Sequence, residues 1–301
     1  MSAIVECHNL TKKYRTKTVL NNFTATIEEN TITGLIGRNG AGKTTLLKIL
    51  TGYLKETSGK VAVFSERPFN SLKVSANSIF VDDQMSYPPA LQLYELIEAA
   101  ARFYPNFNLK LAKGLFDYFS FDPKGYHKRL SKGQKSTFNA IIGIAARCPL
   151  TIFDEPTTGM DEGVRKDFYR ALLKDYLEFP RTIIISSHHL NEIEDLIEDV
   201  LLLKNGRAFL HLPITELKEY AIAFKGRKDE VLRRIGDRDV LHKQYIGADT
   251  MYAVVKNDFQ EEDLEQARRS GLEISSVRSS DLFVYLTKPA KGGIDDVFGG
   301  N

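Results

Sequence analysis

Short apolar runs recur along the first two thirds of the chain and alternate with segments of helical spacing. The run TITGLIG at residues 31–37 predicts a buried strand, and TLLKIL at 45–50 has the apolar spacing of a helix. The run at 150–153 is short and mostly apolar, which is typical of a parallel strand buried on both faces. The pattern predicts strands at 4–10 and 23–28, further strands near Val61, Ile79, Leu150 and Thr182, and a hairpin around Asn205 and Gly206.

Between about residues 88 and 129 the pattern becomes helical and rich in aromatic residues. One stripe in this region has the spacing of a single helix face, which predicts that the face packs into a core. The stripe consists of Leu93, Leu96, Ile97, Ala100 and Phe103.

After Pro213 the pattern predicts a second, smaller unit. Its segments read as strand 221–224, helix 228–235, strand 240–245, strand 251–255, helix 261–270 and strand 273–277. This order is βαββαβ, the split βαβ or ferredoxin-like arrangement. We therefore expect an α+β domain at 213–288, followed by a glycine-rich, flexible tail at 289–301.

A phosphate-binding loop is predicted between the strand at 31–37 and the helix at 45–50. The segment has the pattern of a glycine, four residues and then Gly-Lys-Thr, in which backbone N–H groups and the helix N-terminus attract phosphates. The lysine adds a charge at the β- and γ-phosphates, and the threonine hydroxyl that follows it would hold Mg²⁺. The predicted ATP contacts are Gly37, Arg38, Asn39, Gly40, Ala41, Gly42, Lys43, Thr44 and Thr45.

Polar residues follow two further predicted strands. Asp154 and Glu155 come directly after the strand at 150–153, and His188 comes after TIIIS. In an open parallel sheet the ligand crevice lies beyond the carboxyl ends of the strands. We expect Asp154 to bind Mg²⁺ through water, Glu155 to deprotonate the attacking water, and His188 to orient it. His189 is expected to point to the opposite face of a strand and to have no role.

A P-loop and an acidic strand end occur in many classes of NTPase, whereas the segment LSKGQ does not. It is similar to the LSGGQ signature of ATP-binding cassette (ABC) ATPases, and the resemblance implies contact with the γ-phosphate of ATP on a second subunit. Ser131 and the backbone of Gly133 would make that contact. The segment consists of Leu130, Ser131, Lys132, Gly133 and Gln134.

The other cassette motifs occur in family order across about residues 1–212. By resemblance, Tyr14 stacks on adenine, Gln84 contacts the metal and links the site to the helical region, and Asp161 of TGMD lies at the dimer interface. Two positions depart from the usual pattern, since Lys132 replaces the first glycine of the signature and TGMD replaces SGLD. We expect activity to survive both changes, because Gly133 and Asp161 are kept.

The predicted fold is therefore α/β: a P-loop ABC ATPase core at 1–212, with an antiparallel β subdomain and an inserted helical subdomain at about 85–130. The formal net charge is +2, which gives no electrostatic case for nucleic acid. Cys7 and Cys148 have no metal-binding spacing and suit a reducing cytosol. There is no signal peptide pattern and no apolar run near the ~18 residues that cross a bilayer.

These features predict the ATP-hydrolysing subunit of a membrane transporter, with ATP and Mg²⁺ as ligands. It would lie in the cytoplasm at the inner face of the membrane and power a separately encoded transmembrane permease, as a homodimer or with a second ATPase subunit. Likeness of the segments at 82–97 and 103–108 to export-type subunits favours export of a peptide, drug or lipid-like substrate. An importer subunit, a soluble ABC ATPase acting on ribosomes or nucleic acid, and a regulator without hydrolysis are the alternatives.

Overall fold

The computed structural model describes residues 2–288, which form two units that divide between His211 and Leu212. The first unit contains the predicted strands and helices, with a long N-terminal hairpin. Its strands are β1 (Ala3–Tyr14), β2 (Lys17–Glu28), β3 (Ile32–Ile36), β4 (Ser58–Val63), β5 (Ser78–Val81), β6 (Leu150–Asp154), β7 (Thr182–Ser187), β8 (Asp199–Lys204) and β9 (Arg207–Pro213). Its helices are α1 (Lys43–Leu50), α2 (Leu72–Asn77), α3 (Leu93–Phe103), α4 (Leu109–Tyr118), α5 (Lys132–Ala146) and α6 (Glu162–Glu178).

The central sheet of the first unit has six strands in the order β5-β6-β7-β3-β8-β9. The neighbours from β5 to β8 are parallel. Every residue of β3, β6 and β7 is buried, as the apolar runs predict. The register pairs Ile36 with Ser187 and Asp154 with Ser186, so the carboxyl ends of three strands meet at one edge.

The hairpin of β1 and β2 is longer than predicted, and with β4 it forms a separate antiparallel sheet. The pairing continues to Tyr14 opposite Lys17. The predicted strand ends at residue 10 because the apolar pattern ends there, and the polar run Thr-Lys-Lys follows it. This sheet and α1 share an apolar core with the central sheet.

The segment predicted to be helical contains α3 and α4, and one position of the predicted apolar stripe is exposed. Leu93, Leu96 and Ile97 are buried on α3, but 72% of Phe103 is exposed. Phe103 is the last residue of α3, and its ring contacts Tyr104 edge-on.

The second unit has the predicted βαββαβ order within a single antiparallel sheet. Its elements are α7 (Ile214–Glu219), β10 (Ala221–Arg227), α8 (Lys228–Ile235), β11 (Val240–Ile246), β12 (Thr250–Lys256), α9 (Glu261–Arg269), β13 (Glu273–Ser276) and α10 (Ser279–Thr287). The strand order is β11-β12-β10-β13, with an apolar core around Phe224. The sequence pattern did not predict α7 and α10. The tail predicted at 289–301 lies outside the described residues.

Within residues 2–288, no helix combines the length and the apolar character that a membrane span requires.

Candidate active site

The loop between β3 and α1 has a backbone that only glycine accommodates at several positions. Gly40 and Gly42 have φ values of 80° and 111°, in the region that favours glycine. A Cβ on Gly37 would lie 2.8 Å from the carbonyl oxygen of Leu203. Helix α1 begins at Lys43 with no side-chain cap and no acidic residue in its first turn. Its N-terminal N–H groups are therefore suited to bind an anion.

Three predicted residues from three different loops meet at the edge of the sheet. The Nζ atom of Lys43 donates to the carbonyl oxygen of Gly37 at 2.7 Å and lies 3.1 Å from Oε1 of Glu155. The other carboxylate oxygen of Glu155, Oε2, lies 2.8 Å from Nδ1 of His188. Only 7% of the Lys43 side chain is exposed, so this ion pair is poorly screened by water. One carboxylate thus connects the lysine and the histidine.

Glu155 is held in an uncommon backbone conformation, with φ at 49°. Its N–H donates to Oγ of Ser186, and Thr158 Oγ1 donates to its carbonyl oxygen at 2.8 Å. Ser186 in turn donates its hydroxyl proton to Asp154 Oδ1. A left-handed non-glycine residue costs about 1–3 kcal/mol and persists only where its surroundings fix it, which is frequent at functional sites. Ser186 was missed from the sequence, where it is only the end of an apolar strand.

The loop borders a cavity of about 370 Å³. Its lining residues are Lys17, Val19, Arg38, Asn39, Gly40, Gly42, Lys43, Thr44, Thr45 and Glu155. Two of these, Lys17 and Val19 of β2, were not predicted. Gly37 and Ala41 do not line the cavity, since Gly37 receives Lys43 and Ala41 packs against the core.

Tyr14 and Gln84, both described residues, are also absent from that lining. Tyr14 is 42% exposed at the end of β1, beside Lys12 and opposite Lys17. Gln84 lines a neighbouring cavity of about 620 Å³, together with Asp82 and Phe103. Neither residue therefore lines the phosphate cavity, although Lys17, which pairs with Tyr14, does.

The residues of LSKGQ and TGMD form a second polar surface. Ser131 caps α5 by accepting from Gln134 N, and Gln134 Oε1 accepts from Ser131 N. A Cβ on Gly133 would lie 2.2 Å from the carbonyl oxygen of Gly159, so the two segments approach at backbone distance. Asp161 caps α6. The surface surrounds a cavity of about 160 Å³.

Known proteins that are similar to this chain are ABC transporter ATP-binding proteins. A family model described as ABC transporter matches residues 20–158. The chain is 30% identical over 216 residues to the lantibiotic transport ATP-binding protein SrtF of Streptococcus pyogenes, covering 69% of this chain and 90% of that protein. The chain belongs to the ABC transporter ATP-binding proteins. This ABC ATPase is also 29% identical over 216 residues to YtrB of Bacillus subtilis, covering 72% and 74%, and 28% identical over 222 residues to the bacitracin transport protein BcrA of Bacillus licheniformis, covering 73% and 72%.

Solved ABC ATPases have the same fold. The ATP-binding subunit of an ABC transporter matches with a TM-score of 0.64 at 22% identity, over 71% of this chain and 92% of that one. A dimeric ATP-binding cassette in a post-hydrolysis state, bound to ADP and Pi, matches with a TM-score of 0.61 at 22% identity, over 70% and 98%. The predicted P-loop ABC ATPase fold is confirmed.

The oxygen atoms of the site fit the Mg²⁺ that this ABC ATPase is predicted to use with ATP. Thr44 presents a hydroxyl at the start of α1, and Asp154 provides a carboxylate that is 6% exposed. Mg²⁺ keeps several waters and commonly takes one or two protein oxygens besides those of the phosphates. Among the described residues, no group of three or more His, Cys, Asp or Glu side chains forms a metal cluster. The donor set therefore fits Mg²⁺ held jointly with a nucleotide.

The expectation for His189 was wrong in its geometry. Strand β7 ends at Ser187, so the alternation of a strand does not continue through the two histidines. Their ring centroids lie 3.9 Å apart. His189 therefore packs against His188 on the same side.

Proposed function

We propose that this ABC ATPase binds ATP and Mg²⁺ at the cavity beside Lys43, and that its turnover powers a separately encoded membrane permease that exports a peptide, drug or lipid-like substrate. The contact of one carboxylate with both Lys43 and His188 is the observation that carries the proposal. Glu155, the proposed base, thereby contacts both the phosphate-binding charge of Lys43 and the His188 ring that orients it.

The roles follow from these contacts. Lys43 and the N-terminus of α1 bind the phosphates. Thr44 and Asp154 hold Mg²⁺, and Gln84 contacts it when ATP is bound. Bound phosphates compete for Lys43, which leaves Oε1 of Glu155 to accept a proton from water. His188 holds Oε2 and fixes the orientation of the carboxylate. Mg²⁺, when bound, neutralises charge on the β- and γ-phosphates.

The second polar surface supports a dimer. Ser131, Gly133 and Asp161 surround a cavity whose lining includes no residue of the P-loop. A partner subunit, identical or related, would supply its own P-loop and ATP there. The known dimeric cassette with ADP and Pi supports this arrangement as a proposal.

The permease would bind at the cavity beside Gln84. The lining of this cavity includes aromatic residues, among them Tyr53 and the exposed Phe103. Aromatic residues are enriched at protein interfaces. The relatives named for bacitracin and lantibiotic transport support a peptide as cargo. Binding to a permease would hold the protein at the inner face of the membrane, and the second unit would act as an accessory domain.

The test uses Phe103→Asp with Leu177→Asp as its matched control. The two side chains are similarly exposed, at 72% and 71%, and Leu177 lies at the end of α6. Tagged protein is purified from detergent-solubilised membranes of its own cell. We expect a multi-span protein to co-purify with the wild type and with Leu177→Asp, but at least tenfold less with Phe103→Asp.

Equal recovery with both variants would contradict the assignment of this cavity. Recovery of ribosomes or nucleic acid would indicate the soluble class of ABC ATPases. Uptake driven by the co-purified complex in vesicles would indicate an importer.

A further inference from the structure

The segment of residues 82–87, which contains Gln84, is attached to helix α5 at several points. Asn139 of α5 donates from Nδ2 to the carbonyl oxygen of Asp82 at 3.1 Å. At the other end of the segment, the ring of Tyr87 packs edge-on against Phe138 of α5 and His127. The segment is therefore fixed to the helix that begins with the signature.

A directed pair of hydrogen bonds extends this attachment. Because the Nδ2 group of Asn139 donates to Asp82, its Oδ1 faces Nε2 of His127 at 3.0 Å and must accept. His127 therefore carries a proton on Nε2. Burial is the main cause that lowers the pKa of His127, so the ring is neutral near pH 7. The order of donation is from His127 to Asn139 to Asp82.

The last link reaches Gln84 itself. Oδ1 of Asp82 accepts from the backbone N–H of Gln84 at 3.0 Å. Asn139 is 1% exposed and Asp82 is 9% exposed, so water cannot readily replace these bonds. A shift of the Asp82 backbone would therefore shift the start of the Gln84 turn.

We infer that His127 and Asn139 are positioning residues that set the place of Gln84 relative to the signature helix during ATP hydrolysis. The inference rests on the proposed role of Gln84 at the metal site. Neither residue belongs to the P-loop, the signature or the acidic strand end, and neither lines the phosphate cavity. Through the bonds from His127 to Asn139 and from Asn139 to Asp82, the segment that precedes Leu130 fixes the position of Asp82. Asp82 lies two residues before Gln84 in the chain.

The test measures ATP hydrolysis by the full chain as kcat, as KM for ATP and as the Mg²⁺ concentration for half-maximal rate. Asn139→Leu removes both hydrogen bonds at similar volume. We expect kcat to fall about tenfold and the Mg²⁺ requirement to rise, with KM changed less than about twofold, because a misplaced group costs rate rather than P-loop binding. Asn257→Leu is the control, since Asn257 also donates from Nδ2 to a carbonyl oxygen at 3.1 Å, in the second unit.

Two variants of His127 separate positioning from packing. Gln at this position keeps an N–H donor, whereas Phe keeps a ring without one. We expect His127→Gln to retain most of the wild-type kcat and His127→Phe to resemble Asn139→Leu. Equal rates for the two variants would overturn the directed hydrogen bond.

A double-mutant cycle with Gln84→Ala decides whether the pair acts through Gln84. We expect Asn139→Leu to lower kcat less than about twofold once Gln84 is absent. The same tenfold loss in both backgrounds would overturn the inference in favour of a merely structural role. If Gln84→Ala alone has no effect, the proposed role of Gln84 fails; if it lowers kcat while Asn139→Leu does not, only the role of the pair fails.

Discussion

The two units of the chain are both built from strands and helices, but they differ in where the carboxyl ends of their strands lie. In the first unit parallel strands deliver Lys43, Glu155 and His188 to a single edge of the sheet. In the second unit every paired strand is antiparallel, so the carboxyl ends of neighbouring strands lie at opposite edges of the sheet. Among the described residues of the second unit, the buried polar side chains are the hydroxyls of Ser279 and Thr287, and no charged side chain is buried. Parallel strands thus bring polar groups together at one edge of the sheet. We therefore expect substitutions to affect turnover in the first unit and stability in the second.

The largest expected effect is on turnover in the first unit. Glu155→Gln removes the base while it keeps the size of the side chain, so kcat for ATP should fall by about 10³-fold. ATP binding should persist, because the P-loop and Lys43 are unchanged, and an ATP-dependent dimer should accumulate. Hydrolysis of radiolabelled ATP and size-exclusion chromatography with and without ATP measure both outcomes.

Glu262→Gln is the control for this loss of charge, since Glu262 is exposed on α9. It should hydrolyse ATP at the wild-type rate. Normal turnover by Glu155→Gln would remove Glu155 as the base.

The next effect is on stability in the second unit. Phe224 is 0% exposed and packs in the apolar core beside Phe259. Phe224→Ala should lower the free energy of unfolding of this unit by about 3–5 kcal/mol, because the cavity left behind only partly collapses. ATP affinity should change little, since no residue of the second unit lines the phosphate cavity. Urea denaturation and nucleotide titration measure the two quantities.

Phe209→Ala is the control, because Phe209 is 46% exposed on β9. It should cost less than about 1 kcal/mol. A tenfold loss of ATP affinity in Phe224→Ala would break the contrast between the units.

Much of the fold could be predicted because apolar periodicity and turn chemistry agree along the chain. Helix α8 has the predicted bounds, and the hairpin at Asn205 and Gly206 has the positive φ values that its two-residue turn requires. The prediction for β1 was too short because its last residues are mostly polar and are held by pairing with β2 rather than by burial. Local patterns therefore predict regular elements better than irregular ones.

The site was less predictable where it depends on contacts between distant segments. Motifs place Lys43 at the start of α1 and Glu155 directly after β6, but no spacing shows that Ser186 holds the backbone of Glu155. Asn139 did carry a signal, because an amide inside the apolar stretch of α5 requires buried partners. Its partner, the carbonyl of Asp82, lies 57 residues away and could not be read from the sequence.

The smallest expected effect is a pH dependence in the second unit. The ring of His242 on β11 stacks on Tyr285 of α10 at 4.3 Å, with Tyr252 of β12 edge-on. Burial lowers the pKa of His242, the nearby charge of Lys288 lowers it further, and Asp281 opposes both. An unfolded histidine then binds more protons than the folded one between its ordinary pKa near 6.5 and the lowered value. The stability of this packing is complete above that window and falls as the pH drops through it.

The variant His242→Phe keeps the ring on Tyr285 but cannot be protonated. The wild type should therefore lose more stability than this variant between pH 8 and pH 5, by under about 1 kcal/mol because solvent screens the partly exposed ring. Urea midpoints of both proteins at the two pH values measure the difference. Equal losses would show that protonation of His242 does not weaken the packing of the second unit.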